Sequence, residues 1–336
     1  MAETCEQSFD IAVVGGGGAG MMAFLRGVLN SNRCALVAGD AGTLRRARAT
    51  WCPEITEAAS SHGLPPPIEL TSGSALKWIS EQRELRDLAT TIAARATRLE
   101  RDRDGFIVHY SGYRETGRLR ARYVIVATGA VEVHPRISGS RQALLPFVER
   151  GDVLHCARCD GYLAVDRRLS VIGRDDHAMG VVAMMIERYR LADAVLLTHG
   201  ATPRFSPEFS LLAEAYGIQP KTSRIVEVIG DPDARGLEGF RLEDGSKVAT
   251  DRVILALGRV VFNQLVTSVG GQVDEDGRVL VSDRFETSIP GLFAVGDVAA
   301  DVRMDLYSAW DQALEAADVI HHRLSHWQES RRVAGR

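Results

Sequence analysis

The stretch that decides the fold is FDIAVVGGGGAGMMAFLRGVLN, residues 9–30. An apolar run of strand length leads directly into four glycines, and a helical segment follows. Gly15, Gly17 and Gly20 match the pattern GxGxxG. Such glycines permit a tight turn and the close approach of a pyrophosphate, which the N-terminal end of the following helix attracts. The stretch therefore predicts the first strand, turn and helix of a dinucleotide-binding fold.

The next apolar run, CALVAG (34–39), is the second strand that such a fold requires. It ends at Gly39 and Asp40. An acidic residue about 20 positions after the glycines typically meets the adenosine ribose. Asp40 is thus a candidate ribose ligand. The alternative is a strand-to-helix turn that binds no ligand.

A second strand–turn–helix unit lies in the middle of the chain. It reads RLSVIGRDDHAMGVVAMMIERY (168–189), and the strand ADAVLLTHG (192–200) follows it. Between the two units, periodicity predicts a helix in ALKWISEQRELRDLATTIAARA (75–96), and a last helix is expected over 307–324. Strands that alternate with helices indicate an α/β fold, and the 336 residues suit two domains.

The composition is that of an ordinary globular protein. Hydrophobic residues make up 45% and charged residues 25%, with a net charge of −4. This balance favours neither nucleic acid nor an anionic membrane as a partner. No apolar run approaches the roughly 20 residues that span a bilayer, and the N-terminal MAETCEQSFD does not resemble a signal peptide. The expected location is the cytoplasm.

Two of the five cysteines form the motif HCARCDGY (155–162). Cys156 and Cys159 have the CxxC spacing that suits reversible disulfide formation. An odd cysteine count argues against a structural disulfide framework. Half of a zinc site is an alternative, but no second pair of ligands follows at a suitable spacing, so no metal is expected. Cys34, inside an apolar strand, is expected to be buried, and Cys5 and Cys52 are expected to have no redox role.

Five segments together resemble the low-molecular-weight thioredoxin reductase family of FAD-dependent pyridine nucleotide-disulfide oxidoreductases. In the family's order they are VVGGGGAG (13–20), VIVATGA (124–130), CARCDG (156–161), ILALGR (254–259) and TSIPGLFAVGDV (287–298). The resemblance implies two Rossmann-like, three-layer ββα domains, the second inserted in the first. The FAD domain would comprise 1–131 and 252–330, and the inserted NAD(P)-binding-like domain 132–251 would carry the cysteines. Family members are usually homodimers.

The resemblance also implies roles for individual residues. One cysteine exchanges with the substrate disulfide while the other contacts the flavin, and the family pattern favours Cys159 at the flavin. Asp160 corresponds to the aspartate that moves protons to and from the thiols. The residues expected to hold FAD are Gly15, Gly17, Gly20, Gly39, Asp40, Thr128, Gly129, Gly296, Asp297, Arg303 and Met304.

The second dinucleotide motif departs from the family pattern. After Gly173 the middle glycine of the motif is replaced by Asp175, and Asp176 follows. Two unit charges about 4 Å apart repel by roughly 1 kcal/mol in water, so these carboxylates oppose a pyrophosphate. They are instead expected to cap the following helix. His199 fits the family's 2′-phosphate cluster, but its arginine pair is missing, so NADPH is not expected to be the direct donor.

Three further departures lie at segments that the family places near the flavin. The sequence Arg303-Met304-Asp305 replaces Arg-Gln and a small residue. Trp310 stands where the family has alanine, and it either covers the flavin or fills a dimer interface. The family's Asn-Trp-Pro loop becomes ATWCPE (49–54). These changes leave FAD as the expected cofactor and call its reactivity into question.

Four functions remain open at this point. The first is a reductase in which a protein donor such as ferredoxin reduces the flavin and a thioredoxin-like disulfide is the substrate. The second is a dithiol oxidase that closes a disulfide in a small molecule with O2 as acceptor. The third is a divergent NADPH-dependent thioredoxin reductase, and the fourth a flavin-bound interaction module without turnover. Because the oxidases of the family usually carry histidine after the second cysteine, Asp160 favours the reductase.

Overall fold

The computed structural model describes residues 7–39 and 68–334. Helices and strands alternate along most of this length, as the sequence predicts. In chain order the elements are β1 (Ser8–Val14), α1 (Gly18–Leu29), β2 (Cys34–Val37), α2 (Ile68–Glu81), α3 (Arg83–Arg86), β3 (Ala89–Ile92), β4 (Arg95–Asp102), β5 (Gly105–Ser111), β6 (Thr116–Val126), β7 (Ala130–Glu132), α4 (Leu145–Glu149), β8 (Val153–Leu154), β9 (Arg168–Gly173), α5 (Asp176–Arg188), β10 (Asp193–Leu197), α6 (Pro207–Ala215), β11 (Ile225–Asp231), β12 (Gly236–Leu242), β13 (Lys247–Ala249), β14 (Arg252–Ala256), β15 (Arg259–Val261), α7 (Gln264–Thr267), β16 (Leu292–Ala294) and α8 (Leu306–Ala334).

The described chain divides into two compact units, one formed by 7–39, 68–130 and 261–334 and the other by 131–260. We call them the outer unit and the inserted unit. The sequence prediction began the last segment of the outer unit at residue 252, and the structure corrects this boundary. Strand β14 pairs in parallel with β9 and β8, and its Ile254 and Leu255 are buried in the cores of the inserted unit.

The outer unit is built on a sheet with the strand order β3-β2-β1-β6-β5-β4, in which β16 also pairs with β6. Strands β2, β1 and β6 are parallel, whereas β4, β5 and β6 form an antiparallel meander. Alternate residues of β1 enter different hydrophobic cores: Ile11 and Val13 pack with helices α1 and α8, and Ala12 and Val14 pack on the opposite face. Burial on both faces explains why β1 is almost continuously apolar.

Two helix predictions differ from the structure. The helix expected over 75–96 ends at Glu81, and β3 (Ala89–Ile92) pairs in parallel with β2. The residues Thr90, Thr91 and Ile92 are β-branched, and such side chains favour a strand. The last helix, expected over 307–324, extends to Ala334. No helix of the described residues is long and apolar enough to cross a membrane.

The inserted unit contains a parallel sheet in the order β10-β9-β14-β8 and a three-stranded antiparallel sheet, β11-β12-β13. Helix α5 covers one face of the parallel sheet, where Met179, Val182 and Met185 pack against Leu169 and Val171 of β9. The strand β9, the turn at residues 174–175 and the helix α5 are the second unit that the sequence predicted. The structure is therefore α/β with two Rossmann-like units, as expected.

Candidate functional site

The turn between β1 and α1 has no room for a side chain at Gly15, and the first turn of α1 has none at Gly20. Gly15 has φ +116°, and a Cβ there would lie 2.2 Å from the carbonyl oxygen of Ala127. A Cβ on Gly20 would lie 1.8 Å from the carbonyl oxygen of Gly15. Gly17 precedes the helix and provides no side-chain cap to its first N–H groups. This geometry leaves the start of α1 suited to a phosphate group.

The loop after β6 lies beside this turn, because β6 pairs with β1. Thr128 donates its hydroxyl proton to the carbonyl of Phe262 at 2.6 Å, and the carbonyl of Gly129 accepts from the Phe262 N–H at 3.0 Å. Gly129 has φ +68° and no atom within 4 Å of its Cβ position. Gly39 ends β2 with φ +87°. Asp40 and the segment 49–54 lie outside the described residues.

Gly296 and Asp297 follow β16 in a short 3-10 turn. Gly296 has φ +75°, and a Cβ there would lie 2.9 Å from Cβ of Ala19 at the start of α1. The Gly296 N–H donates to Oε1 of Gln312 at 2.7 Å, and Gln312 is only 3% exposed. Gln312 is a residue that the sequence analysis missed. The sequence feature that could have identified it is a polar residue on the face of α8 that is otherwise formed by small apolar residues, among them Ala309, Ala313 and Ala316.

The segment before α8 departs from the family pattern in a way the structure explains. Asp305 caps the helix, since its carboxylate accepts from the Ser308 N–H at 2.7 Å. Arg303 is exposed and Met304 is half-buried just ahead of it. Trp310 packs edge-on against Tyr307 with a centroid distance of 6.1 Å. The placement of Trp310 at the flavin or at a dimer interface stays a prediction.

Cys156 and Cys159 are joined by a disulfide, with a Cα–Cα distance of 5.2 Å. The N–H groups of Cys159 and Asp160 both donate to the Cys156 carbonyl, at 3.2 and 2.8 Å, which closes a helical turn. The Asp160 carboxylate accepts from the Cys156 N–H at 3.4 Å. Both cysteines are half-buried, and Arg158 between them is exposed. A disulfide closed across one helical turn, with a carboxylate hydrogen-bonded to that turn, is a geometry suited to thiol–disulfide exchange.

The remaining cysteine in the described residues is Cys34, which is buried in β2 as predicted. Burial raises the pKa of its thiol well above the usual value, so it stays protonated. Cys5 and Cys52 lie outside the described residues. Within those residues, no group of three His, Cys, Asp or Glu side chains could hold a metal ion.

A second histidine lies beside the redox motif. The ring of His134 packs against that of His155 with a centroid distance of 6.1 Å and an interplanar angle of 44°. Burial lowers the pKa of His134, while the charge of Glu132 opposes this and Arg141 adds to it. Nδ1 of His134 is buried without a hydrogen-bond partner. No pattern marks His134 in the sequence, because it lies 21 positions from His155 and outside any motif.

The N-terminal end of α5 is occupied by side chains of the chain itself. Asp175 is the N-cap and accepts from the Ala178 N–H at 3.1 Å, which confirms the predicted cap. Asp176 differs from the prediction, because its carboxylate accepts from the Ser206 N–H at 2.8 Å and not from an N–H of α5. The Arg204 N–H donates to the Arg174 carbonyl at 2.7 Å. The loop after β10 is therefore tied down at the position where a Rossmann unit binds a pyrophosphate.

His199, the histidine that fitted a 2′-phosphate cluster, is bonded through both ring nitrogens. Nδ1 accepts from the Ile225 N–H at 3.1 Å, so Nε2 carries the proton and donates to the Arg136 carbonyl at 3.0 Å. Burial, opposed by the bond to Arg136 and aided by Arg224, lowers the pKa of His199. The ring is therefore a neutral structural bridge. Neither ring nitrogen is free to bind a phosphate, which was the role considered for this residue from the sequence.

Comparisons with known proteins agree on one family. The model described as pyridine nucleotide-disulphide oxidoreductase matches residues 9–319. A thioredoxin reductase of Aquifex aeolicus is 26% identical over 308 residues, which cover 87% of this chain and 86% of that protein. A thioredoxin reductase of Mycolicibacterium smegmatis is 32% identical over 191 residues, 53% of this chain and 57% of that protein.

Solved structures show the same fold. The structure of HlmI aligns with a TM-score of 0.80 and 24% identity, covering 100% of this chain and 98% of that one. The thioredoxin reductase of Streptococcus pyogenes aligns with a TM-score of 0.78 and 19% identity, covering 96% and 100%.

Proposed function

The chain belongs to the pyridine nucleotide-disulphide oxidoreductase family and is a thioredoxin reductase-like flavoprotein. We propose that it is a dithiol–disulfide oxidoreductase and, from its own departures at α5, that it does not take electrons directly from NADPH. Its redox centre is the Cys156–Cys159 pair. The observation that carries the donor proposal is the start of α5, where Asp175 caps the Ala178 N–H and Asp176 binds the Ser206 N–H of the loop after β10.

The family depends on FAD, and the glycine turns of the outer unit fit that cofactor. The uncapped start of α1 suits its pyrophosphate, and a Cβ at Gly15 or Gly20 would collide with backbone. When bound, FAD supplies a two-electron carrier. The residues that would hold it are Gly15, Gly17, Gly20, Gly39, Asp40, Thr128, Gly129, Gly296, Asp297, Arg303 and Met304.

The cysteines perform the exchange with the substrate. In the reductive direction, the thiolate of one cysteine attacks a substrate disulfide and forms a mixed disulfide. The other cysteine then attacks the first sulfur, which releases the substrate as a dithiol and closes the Cys156–Cys159 bond. Asp160, hydrogen-bonded to the Cys156 N–H, exchanges the protons that the thiols release and the leaving thiolates accept. From the family pattern, Cys159 faces the flavin and Cys156 faces the substrate.

Three features of the inserted unit argue against a nicotinamide donor. Asp175 caps α5, and its carboxylate would repel a pyrophosphate at the same N–H groups. Asp176 holds the Ser206 N–H of the loop after β10. His199 uses both nitrogens in bonds to backbone, so it has none to offer a 2′-phosphate. These features distinguish the proposal from an ordinary NADPH-dependent thioredoxin reductase.

The substrate is proposed to be a thioredoxin-like disulfide, and the donor a reduced protein such as a ferredoxin. The thioredoxin reductases among the relatives favour that substrate class. Asp160 also favours the reductase over the alternative, a dithiol oxidase that forms a small-molecule disulfide and reduces O2. We further propose a cytoplasmic homodimer that binds neither nucleic acid nor membranes.

The test is an anaerobic titration of the purified yellow protein. We expect no loss of flavin absorbance with excess NADPH or NADH, but bleaching with dithionite or a small dithiol. Bleaching by NADPH within seconds would overturn the donor proposal and leave an NADPH-dependent reductase. Admission of air then separates the two directions, because fast reoxidation favours a dithiol oxidase and slow reoxidation favours a reductase with a protein donor.

A further inference from the structure

We propose that His134 is a positioning residue for the redox pair: its neutral ring stabilises the protonated ring of His155 and, through it, the thiolate of Cys156. This inference rests on the proposed function of Cys156 and Cys159 as the redox centre. It adds a residue that no motif of the chain contains.

The geometry places the two rings in one cluster of the inserted unit. Their centroids are 6.1 Å apart, and His155 immediately precedes Cys156 in the chain. His134 has a buried Nδ1 with no hydrogen-bond partner, although buried polar atoms are nearly always paired. The two rings are in contact and Nδ1 of His134 is not committed to another group, so the lone pair of a neutral His134 is available to a protonated neighbour.

The surrounding charges decide which ring carries the proton. Two imidazolium ions at this separation would repel each other. Burial and Arg141 disfavour a charge on His134, and these outweigh the attraction of Glu132, so the pKa of His134 is lowered. Glu132 also lies 3.6 Å from the guanidinium of Arg259, and this ion pair weakens the attraction between Glu132 and a charged His134. A neutral His134 places no charge beside the half-buried His155, so this ring does not oppose a proton there.

The carboxylate of Asp160 lies beside Cys156 and opposes a thiolate there, so the thiolate needs a cation on its other side. Asp160 accepts a hydrogen bond from the Cys156 N–H, and Arg158 is exposed on the turn. A cation next to a thiol favours the thiolate. In the first step the Cys156 thiol of the reduced protein transfers its proton to His155, and the resulting thiolate attacks the substrate disulfide; Asp160 exchanges the proton of the second thiol. The substrate S–S bond breaks as the mixed disulfide forms, and the leaving thiolate takes the proton from His155.

The test measures the thiol directly. In a Cys159→Ser background, the rate of alkylation of Cys156 by iodoacetamide is followed across pH, because only the thiolate reacts. His134→Phe keeps a ring of similar size and removes the nitrogens. We expect its thiolate titration to move to higher pH and its rate at pH 7 to fall about 3- to 10-fold, which corresponds to roughly half to one pKa unit. His134→Asn, whose amide oxygen can accept a hydrogen bond near the Nδ1 position, should restore part of the rate.

Two further variants separate this effect from a structural one. His177→Phe, at an exposed position of α5 in the same unit, should leave the titration unchanged. In a His155→Phe background, His134→Phe should have no additional effect, because it acts through His155. The proposal is overturned if His134→Phe leaves the titration unchanged, or if its effect is undiminished without His155. The alkylation assay measures only the Cys156 thiol and needs neither flavin reduction nor substrate. A failure of the proposed function would instead be seen in the anaerobic titration and in turnover, so the two failures can be told apart.

Discussion

The carboxylate of Asp175 lies 3.1 Å from the backbone nitrogen of Ala178 and caps helix α5. A Rossmann unit normally leaves this end of the helix to the pyrophosphate of its dinucleotide. Here the chain satisfies its own N–H group, and Asp176 binds the neighbouring loop at Ser206. The inserted unit thus has the fold of a nucleotide-binding domain, but side chains of the same unit bind at the N-terminal end of its helix α5.

Removal of this cap should destabilise the inserted unit. Asp175→Ala leaves the Ala178 N–H without its acceptor, so we expect a loss of about 1 kcal/mol in the free energy of unfolding. Asp175→Asn is the matched control, because it keeps the oxygen and removes the charge. Urea unfolding followed by circular dichroism measures both variants. An equal loss in Ala and Asn variants would contradict a role for the hydrogen bond.

The two cysteines should give different spectra when each is replaced alone. If Cys159 faces the flavin, its thiolate in Cys156→Ser should produce a long-wavelength charge-transfer band with bound FAD. Cys159→Ser should lack the band, and both variants should lose disulfide turnover. Absorbance spectra of the FAD-loaded variants above and below the thiol pKa provide the measurement. A band in Cys159→Ser alone would reverse the two roles.

Local patterns predicted the parts of the fold and the site that depend on neighbours in the chain. The turn at Gly15 and Gly20 follows from glycine spacing after an apolar strand. The Asp175 cap follows from an acidic residue at the start of a helix. Strand β3 was missed because its three β-branched residues follow a helical pattern without a break, and pairing with β2 decides its conformation.

Contacts between separate segments could not be predicted in this way. Both bonds of His199 reach backbone groups in other segments, at Arg136 and Ile225. His134 meets His155 only because the segment after strand β7 and the segment that leads into Cys156 come together in the fold. Even the position of β14 is set by its pairing with β9, so the domain boundary was placed too early. The identity of a residue does not indicate which distant segment it will contact.

Gln312 should stabilise the turn at Gly296, which we propose to be part of the FAD site. Gln312→Ala leaves the buried Gly296 N–H without an acceptor, which costs about 1–3 kcal/mol. Because Gly296 follows β16 and contacts Ala19 of α1, we also expect less FAD to remain bound. The FAD-to-protein absorbance ratio after gel filtration and the thermal midpoint measure the two effects. Gln142→Ala, at an exposed position, is the control and should change neither.

The neutral state of His199 should make stability depend on pH. Its folded-state pKa lies below the ordinary value of 6.5, chiefly because the ring is buried. The unfolded chain therefore binds more protons than the folded chain below about pH 6.5, and stability rises with pH across that window. The contribution of His199 is complete above pH 6.5 and is lost as the pH falls toward its folded-state pKa.

A comparison of two histidine variants isolates this contribution. His199→Asn tolerates the positive φ of 51° and does not titrate, so it should lose less stability than the wild type between pH 7.5 and pH 5.5. His177→Asn, on the exposed side of α5, should follow the wild type. Thermal midpoints at the two pH values, each relative to the wild type, are the measurement. Equal losses in wild type and His199→Asn would mean that the bridge between Arg136 and Ile225 does not depend on the charge of its imidazole.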